Sequence, residues 1–385
     1  MYTAELKWIR MKIAVLTRNF SSLFGGAERY SVSLANELSK RHEIHVYCQE
    51  TNYPIKDITY HSVLRIPYRL RWLNQLLFSM MTWFHTRNNF DIVHSHEHVW
   101  HGDVHTMHVR SVRTSIFKNY QGFKKVLRWL NVLTSLRHLT YLWLESTRMR
   151  KHGLVFVSNQ LSNEFSSRYP NIARHHYVIP PGVSFPLTLK KREECRRQLN
   201  LSNDQIFLLF VANDFERKGL QTLLVAMAKL QPSITLGVVG HSNKLPIFER
   251  QVHKLDLTNR VKFYGQQEDL SVFYRAADLL VHPTLEDSFG LVVLEAMVQK
   301  LPVLVSSSPY CGFIQNLKDE IHVKTIQDPR NSDQLYDLIH RVLNDLPLQN
   351  TLIENGSKIA LSFSWEEAAL KYENVFRQIA KNSAI

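Results

Sequence analysis

Apolar residues recur along this chain in short runs separated by helical patterns. Residues 12–17, Lys-Ile-Ala-Val-Leu-Thr, read as a short buried strand, and after a loop Ala27, Tyr30, Leu34, Ala35 and Leu38 fall on one helical face. A second strand follows at 44–48, and the order strand, loop, helix, strand predicts a parallel α/β unit. Strands at 91–94 and 154–158 and a helix over 159–169 continue the pattern. Val178-Ile-Pro-Pro-Gly-Val183 interrupts it, because two prolines and a glycine extend neither regular structure. Beyond a polar helix at 190–198, apolar runs at 206–211, 235–239, 261–264, 279–282 and 302–306 alternate with helices. This predicts two doubly wound α/β domains in tandem, spanning 11–182 and 183–364, after a short extension at 1–10. An amphipathic helix from Trp365, with Ala368, Ala369, Tyr372, Val375, Phe376 and Ile379 on one side, is expected to pack back on the first domain.

Composition narrows the picture. The 385 residues are 44% apolar, which excludes a disordered chain, and 47 Lys and Arg against 34 Asp and Glu give +13. Nucleic acid, an anionic membrane or a phosphorylated substrate would suit that charge. The longest apolar run, 73–84, is broken by Asn74, Gln75, Ser79 and Thr82 and falls short of the roughly 20 residues of a membrane span. The first ten residues lack a signal peptide's apolar stretch, and Cys48, Cys195 and Cys311 are too few and too widely spaced for a disulfide or metal framework. A cytoplasmic location is expected.

Three motifs carry candidate chemistry. In Phe24-Gly-Gly-Ala-Glu28 two glycines open the first helix, and Gly25 and Gly26 there suit either an anion at the free N–H groups or an ordinary turn. It is neither the spaced-glycine dinucleotide fingerprint nor a Walker loop. In Val211-Ala-Asn-Asp-Phe-Glu-Arg-Lys-Gly219, Arg217 and Lys218 sit at a helix mouth at the carboxyl end of a strand. Cations there oppose the helix dipole unless an anion is present, which points to phosphate. In the segment from His282 to Met297, Asp287 and Glu295 stand eight apart around the turn Ser288, Phe289, Gly290 and Leu291. A carboxylate in this position either accepts sugar hydroxyls or caps the helix.

Taken in order, these motifs resemble family 4 of the retaining nucleotide-sugar glycosyltransferases, most similarly the bacterial lipopolysaccharide-core glucosyltransferases. The resemblance runs from Met11 to the C-terminus, carried by Phe24 to Arg29, Ile179 to Val183, Asp214 to Gly219, Ala276-Ala-Asp278 and Pro283 to Met297. It implies the GT-B fold, two Rossmann-like domains facing across a cleft. The last segment is similar to the family's E-x7-E signature, with Asp287 in the place of the first Glu and Glu286 beside it as a substitute. By resemblance, Glu295 holds the donor ribose, while Asp287 and the backbone of Ser288 to Leu291 hold the sugar and diphosphate. Arg217 and Lys218 neutralise the leaving diphosphate, with Asn213 standing where many relatives have Arg. Gly25 and Gly26 meet the diphosphate from the other domain, and Gly240, Tyr264 and Gln266 line the base pocket. Fixed cations and N–H groups stabilise the charge that builds on a departing diphosphate. No Asp-x-Asp stands beside a donor-type strand, so no metal or other cofactor is expected.

Two further segments matter. From Asp91 to His108 there are six histidines, and alternate spacing would put His94, His96 and His98 on one face of a strand. The run lacks a helical pair or a cysteine partner for a metal. By resemblance this region faces acceptor and donor sugar, which makes Asp103, His105 and His108 the candidate contacts. Residues 65–151 hold fourteen basic residues against four acidic ones, +10 of the chain's +13, interleaved with Tyr68, Trp72, Trp83, Phe84, Phe117, Tyr120, Phe123, Trp129, Tyr141 and Trp143. The helical patterns at 70–84 and 123–144 are basic and amphipathic, as suits an anionic membrane surface. The expectation is transfer of a hexose from a UDP-sugar, UDP-glucose or a relative, to a lipid-linked saccharide at the inner face of the cytoplasmic membrane, with no nucleic-acid partner. The alternative is a catalytically silent GT-B protein that binds membrane or nucleic acid.

Overall fold

The computed structural model describes residues 10–21, 25–52, 54–66, 70–117, 120–170, 172, 176–184 and 190–383. Phe24 of the first glycine motif, Tyr68, Arg69 and Lys118 of the basic segment, and all but the last residue of the extension 1–10 lie outside them. The chain divides into two units, Met1–Pro180 with Trp365–Ile385, and Pro181–Ser364.

The first unit holds a parallel seven-stranded sheet. Its strands are β1 (Lys12–Leu16), β2 (Glu43–Cys48), β3 (Ile58–Ser62), β4 (Ile92–Ser95), β5 (Val104–Met107), β6 (Gly153–Phe156) and β7 (His176–Val178), in the order β3-β2-β1-β4-β5-β6-β7. Strands β1, β4, β5 and β6 are buried on both faces, the mark of a parallel sheet covered by helices. Helix α1 (Gly26–Ser39) follows β1 and buries Tyr30, Leu34, Ala35 and Leu38. The helix Trp365–Ser383 belongs to this unit, where Tyr372 meets Tyr30, hydroxyl to hydroxyl, at 2.9 Å.

The basic segment forms α2 (Arg71–Thr86), α3 (Gly122–Leu133) and α4 (Leu136–Arg148). The single helix expected at 123–144 is therefore two, because the Ser135 hydroxyl accepts the His138 N–H and starts a new helix after Leu133. Helix α2 inverts the usual pattern. It buries Asn74, Gln75, Ser79 and Thr82 in hydrogen bonds and exposes Leu70, at its start, with Met80 and Phe84.

The second unit holds six parallel strands, β8 (Ile206–Val211), β9 (Ile234–Val239), β10 (Val261–Gly265), β11 (Leu279–His282), β12 (Val303–Ser306) and β13 (Lys324–Ile326), ordered β10-β9-β8-β11-β12-β13. Helices α5 (Leu220–Lys229) and α6 (Leu291–Val298) follow β8 and β11, and the core gathers Phe210, Phe215, Leu220, Leu223 and Leu224. Both sheets follow the doubly wound order, so each has a switch point, between β1 and β4 and between β8 and β11. Such sheets bind ligands outside the carboxyl ends of the strands at that point.

Candidate active site

In the second unit the loops leaving β8 and β11 flank the switch point, and they are locked together. The Arg217 carbonyl accepts the Leu285 N–H at 2.9 Å. Gly219 has φ +80°, and a Cβ there would lie 2.0 Å from the Pro283 carbonyl oxygen, so only glycine lets the loops meet so closely. That approach carries Lys218 to Asp287. The ammonium stands 2.5 Å from Oδ2 and donates to the Glu286 carbonyl at 3.1 Å. His282, the last residue of β11, brings Nε2 to 3.1 Å from the same Oδ2. Asp287 Oδ1 accepts the Phe289 N–H at 3.3 Å.

Burial alone would push the Asp287 carboxyl up, but the Lys218 ammonium and the His282 contact outweigh it and hold the group well below the ordinary carboxylate range. His282 is held neutral, lowered by burial and by Lys218 against the pull of Asp287. Gly290 at φ +100° then turns the chain into α6, because a Cβ there would press on the Cys311 sulfur. Helix α6 presents Glu295, whose carboxylate accepts the Tyr274 hydroxyl at 2.8 Å.

The first unit repeats the arrangement with other residues. Arg18, past β1, and Glu97, past β4, join the two loops at the switch point, Nε to Oε2 at 3.0 Å and N–H to Oε1 at 3.1 Å. Next to them His96 Nδ1 and His108 Nε2 share a hydrogen bond of 2.8 Å, and the edge of the Tyr30 ring backs His108 at 4.8 Å. Burial, reinforced by Arg148, lowers His108 to about 3.

Two family models match the chain. The model described as "Glycosyltransferase Family 4" covers residues 24–185, and "Glycosyl transferases group 1" covers 191–359. The chain belongs to the glycosyltransferases. It is 30% identical over 215 residues to the lipopolysaccharide glucosyltransferase WaaG of Escherichia coli K12, covering 54% of this chain. It is 30% identical over 235 residues to a lipopolysaccharide 1,2-N-acetylglucosaminetransferase of Salmonella typhimurium LT2, covering 57%. These matches span 57% and 60% of the two relatives, about three fifths of each. A crystal structure of WaaG superposes with TM-score 0.82 at 24% identity over 94% of this chain and 99% of that one, so the fold is GT-B.

The residues expected to work in this glycosyltransferase are placed unevenly. Lys218, Asp287, Glu286, Ser288, Phe289, Gly290 and Leu291 come together at the β8–β11 switch point, with Glu295 on the helix that follows. Arg217 is in the loop, but its side chain is half exposed and pairs with Asp214 of the same loop, Nε to Oδ2 at 3.4 Å. Gly240, at φ +123°, is packed so that a Cβ would lie 1.8 Å from the Ala212 carbonyl oxygen, which ties the exit of β9 to that of β8. Tyr264 lies against Phe273 with ring centres 5.0 Å apart, and Gln266 is exposed just past β10. Gly25 caps α1, and the carboxylate of Glu28 lies against the Gly25 N–H.

The histidine segment departs from expectation. Strand β4 stops at Ser95, so His94, His96 and His98 do not share a strand face. His94 bonds Thr106, His96 bonds His108, and His98 Nδ1 lies 2.9 Å from the Arg148 guanidinium. Asp103 sits at the amino end of β5, the wrong edge for a ligand, where its carboxylate accepts the Val93 N–H at 2.8 Å and its own N–H donates to the Val93 carbonyl. His105 is fully buried inside β5, and neither ring nitrogen has a hydrogen-bond partner among the described residues. Of the three candidate contacts, His108 alone stands at the carboxyl edge. His282 was not foreseen. Its signal was a histidine closing a buried strand five residues ahead of the acid.

Proposed function

We propose that this chain is a retaining hexosyltransferase that moves a sugar from a UDP-sugar, UDP-glucose or a related hexose donor, to a lipid-linked saccharide such as lipopolysaccharide core at the inner face of the cytoplasmic membrane. The observation that carries the donor side is the Lys218 ammonium, fixed by Asp287 at the ligand edge of the second sheet. When the bond from the anomeric carbon to the diphosphate breaks, charge builds on the diphosphate oxygens. An ammonium already in place stabilises it without reorganisation. The first-turn N–H groups of α6, opened by Gly290, add to that field. Glu295 suits the ribose hydroxyls, and His108 suits the reacting sugar. Retention places the acceptor hydroxyl on the face the diphosphate leaves. No step requires a metal, in keeping with the lack of an Asp-x-Asp beside a donor-type strand.

The acceptor reading draws on the likeness to WaaG, named as a lipopolysaccharide glucosyltransferase. It draws also on α3, where Phe123, Val126, Leu127, Leu130 and Leu133 form an apolar stripe open to solvent, Phe123 at 74% exposure, while Val132 alone of the helix is buried. Lys124, Lys125 and Arg128 stand on the same helix. An apolar stripe with cations beside it suits an anionic bilayer interface, where the protein would bind peripherally. Among the described residues no helix is long and apolar enough to cross a membrane.

The deciding experiment supplies labelled UDP-glucose and other sugar nucleotides to the protein with extracted bacterial membranes. Incorporation of label into lipid-linked saccharide is expected. No transfer or hydrolysis with any donor, together with salt-sensitive RNA binding, would replace the enzyme by a silent binding module.

A further inference from the structure

We propose that His282 is a positioning residue of the donor site, acting as a neutral Nε2–H donor that fixes which Asp287 oxygen holds Lys218 and which is left for the donor. This rests on the reading of the Lys218 and Asp287 loops as the donor site.

The geometry specifies the tautomer. Nε2 is 3.1 Å from Asp287 Oδ2, whereas Nδ1 is buried and has no hydrogen-bond partner among the described residues. A proton on Nε2 makes a charge-assisted bond to the carboxylate and leaves Nδ1 as a bare acceptor. A proton on Nδ1 would bury an unpartnered N–H and set a lone pair against Oδ2. Protonation of both would bury that same N–H and put a second cation beside Lys218. The groups facing His282 within this cluster are Asp287, which draws a proton to Nε2 and pulls toward the charged form, and Lys218, which with burial opposes that pull and favours the neutral Nε2–H form.

The consequence falls on Asp287. Oδ2 receives both the Lys218 ammonium and the His282 N–H, so its lone pairs are engaged. Oδ1 takes only the 3.3 Å N–H of Phe289 among the described hydrogen bonds, and it keeps acceptor capacity for a sugar hydroxyl. Two contacts of different origin, one from the end of β11 and one from the β8 loop, fix the rotation of the carboxylate. With His282 removed, Oδ2 keeps only the Lys218 contact and Oδ1 only the longer Phe289 N–H bond, and the carboxylate is held less firmly. Lys218 would then lose its fixed place even though its own contacts are intact.

The test uses the full-length protein with the substitutions His282→Leu, which removes the donor, and His282→Gln, whose amide N–H reaches near the Nε2 position. Folding is checked by thermal melting, UDP affinity by calorimetry, and turnover by UDP released from UDP-glucose. His282→Leu is expected to weaken UDP binding several-fold and lower kcat tenfold or more. It should also move the acid limb of the pH profile upward, because Asp287 loses a contact that favours its charged form. His282→Gln is expected to restore most of the kcat and the wild-type acid limb. A folded His282→Leu protein with kcat, KM and pH profile within twofold of wild type overturns the inference. So does a folded Gln variant whose kcat falls tenfold or more, a readout that stands even if Leu proves unstable. Wild-type protein that binds neither UDP nor any sugar nucleotide overturns the donor-site reading itself, and the role of His282 with it.

Discussion

The Lys218 ammonium lies 2.5 Å from the Asp287 carboxylate, joining the two loops at the switch point of the second sheet. In the sequence, Lys218 is a cation at a helix mouth, a place that calls for an anion. Part of that anion belongs to the protein. Asp287 holds the cation in place without the ligand, and a diphosphate would meet a positive group whose position is already fixed.

Replacing Lys218 by alanine is expected to reduce kcat/KM for UDP-glucose by about 10²–10³-fold, the range found for removal of one transition-state donor. Asp287 would be left without its main counter-charge, so a lower melting temperature should accompany the loss. Steady-state kinetics with a thermal melt reads both, and near-wild-type kinetics would refute the assignment.

Glu295→Ala should act mainly on binding. On the proposed ribose role its carboxylate would accept a pair of hydroxyls, and a hydrogen bond to a charged group contributes about 1.5–3 kcal/mol. KM is expected to rise about tenfold or more with kcat little changed. Calorimetry with UDP separates this from a loss confined to turnover, which would contradict a ribose role.

Asp103 and His108 should respond oppositely. Asp103→Ala removes the acceptor that clamps the Val93 N–H at the edge of the sheet away from the ligand, so stability should fall by about 1 kcal/mol with turnover preserved within a few-fold. His108→Ala removes an imidazole at the carboxyl edge and should lower kcat at unchanged UDP affinity. Comparable turnover losses in both would put Asp103 back among the reacting groups.

The first unit should weaken as the solution is acidified. Burial lowers both His94 and His108 to about 3, whereas an unfolded histidine titrates near 6.5. Between those values the unfolded chain binds more protons, so stability is complete above about pH 6.5 and is lost as pH falls toward 3. Each histidine contributes a slope of about 1.4 kcal/mol per pH unit. Urea unfolding at pH 7, 6 and 5, followed through a first-unit tryptophan such as Trp100, should show midpoints dropping with pH. A flat dependence would mean these imidazoles are not buried neutral.

For the membrane surface, sedimentation with anionic vesicles should bind the protein in a salt-sensitive way. Binding is expected to fall several-fold for a Lys124→Glu, Lys125→Glu double variant and for Phe123→Ser, Leu130→Ser. Equal binding to neutral vesicles would count against the electrostatic part.

Much of this molecule was legible in the order of residues. Runs such as 206–211 are apolar throughout because a parallel strand is buried on both faces, and that pattern is visible in one dimension. The motif around Asp287 was equally legible, since a glycine at φ +100° and a carboxylate eight residues from another are local features. The C-terminal helix was readable by periodicity. What ran together in sequence was harder to separate. Helices α3 and α4 read as one pattern because the break is a single cap at Ser135.

Sequence by itself determined the two α/β units, their alternation of strand and helix, and the loops that bear Lys218 and Asp287. Tertiary structure alone decided what those side chains meet. Strand order placed β8 beside β11 and so brought Lys218, Asp287 and His282 to one oxygen, a meeting that no local spacing encodes. It also sorted the histidine segment, setting Asp103 at the amino edge of the sheet and His108 at the carboxyl edge, because a parallel strand four residues long separates its two ends by about 13 Å, with ligands bound at only one of them.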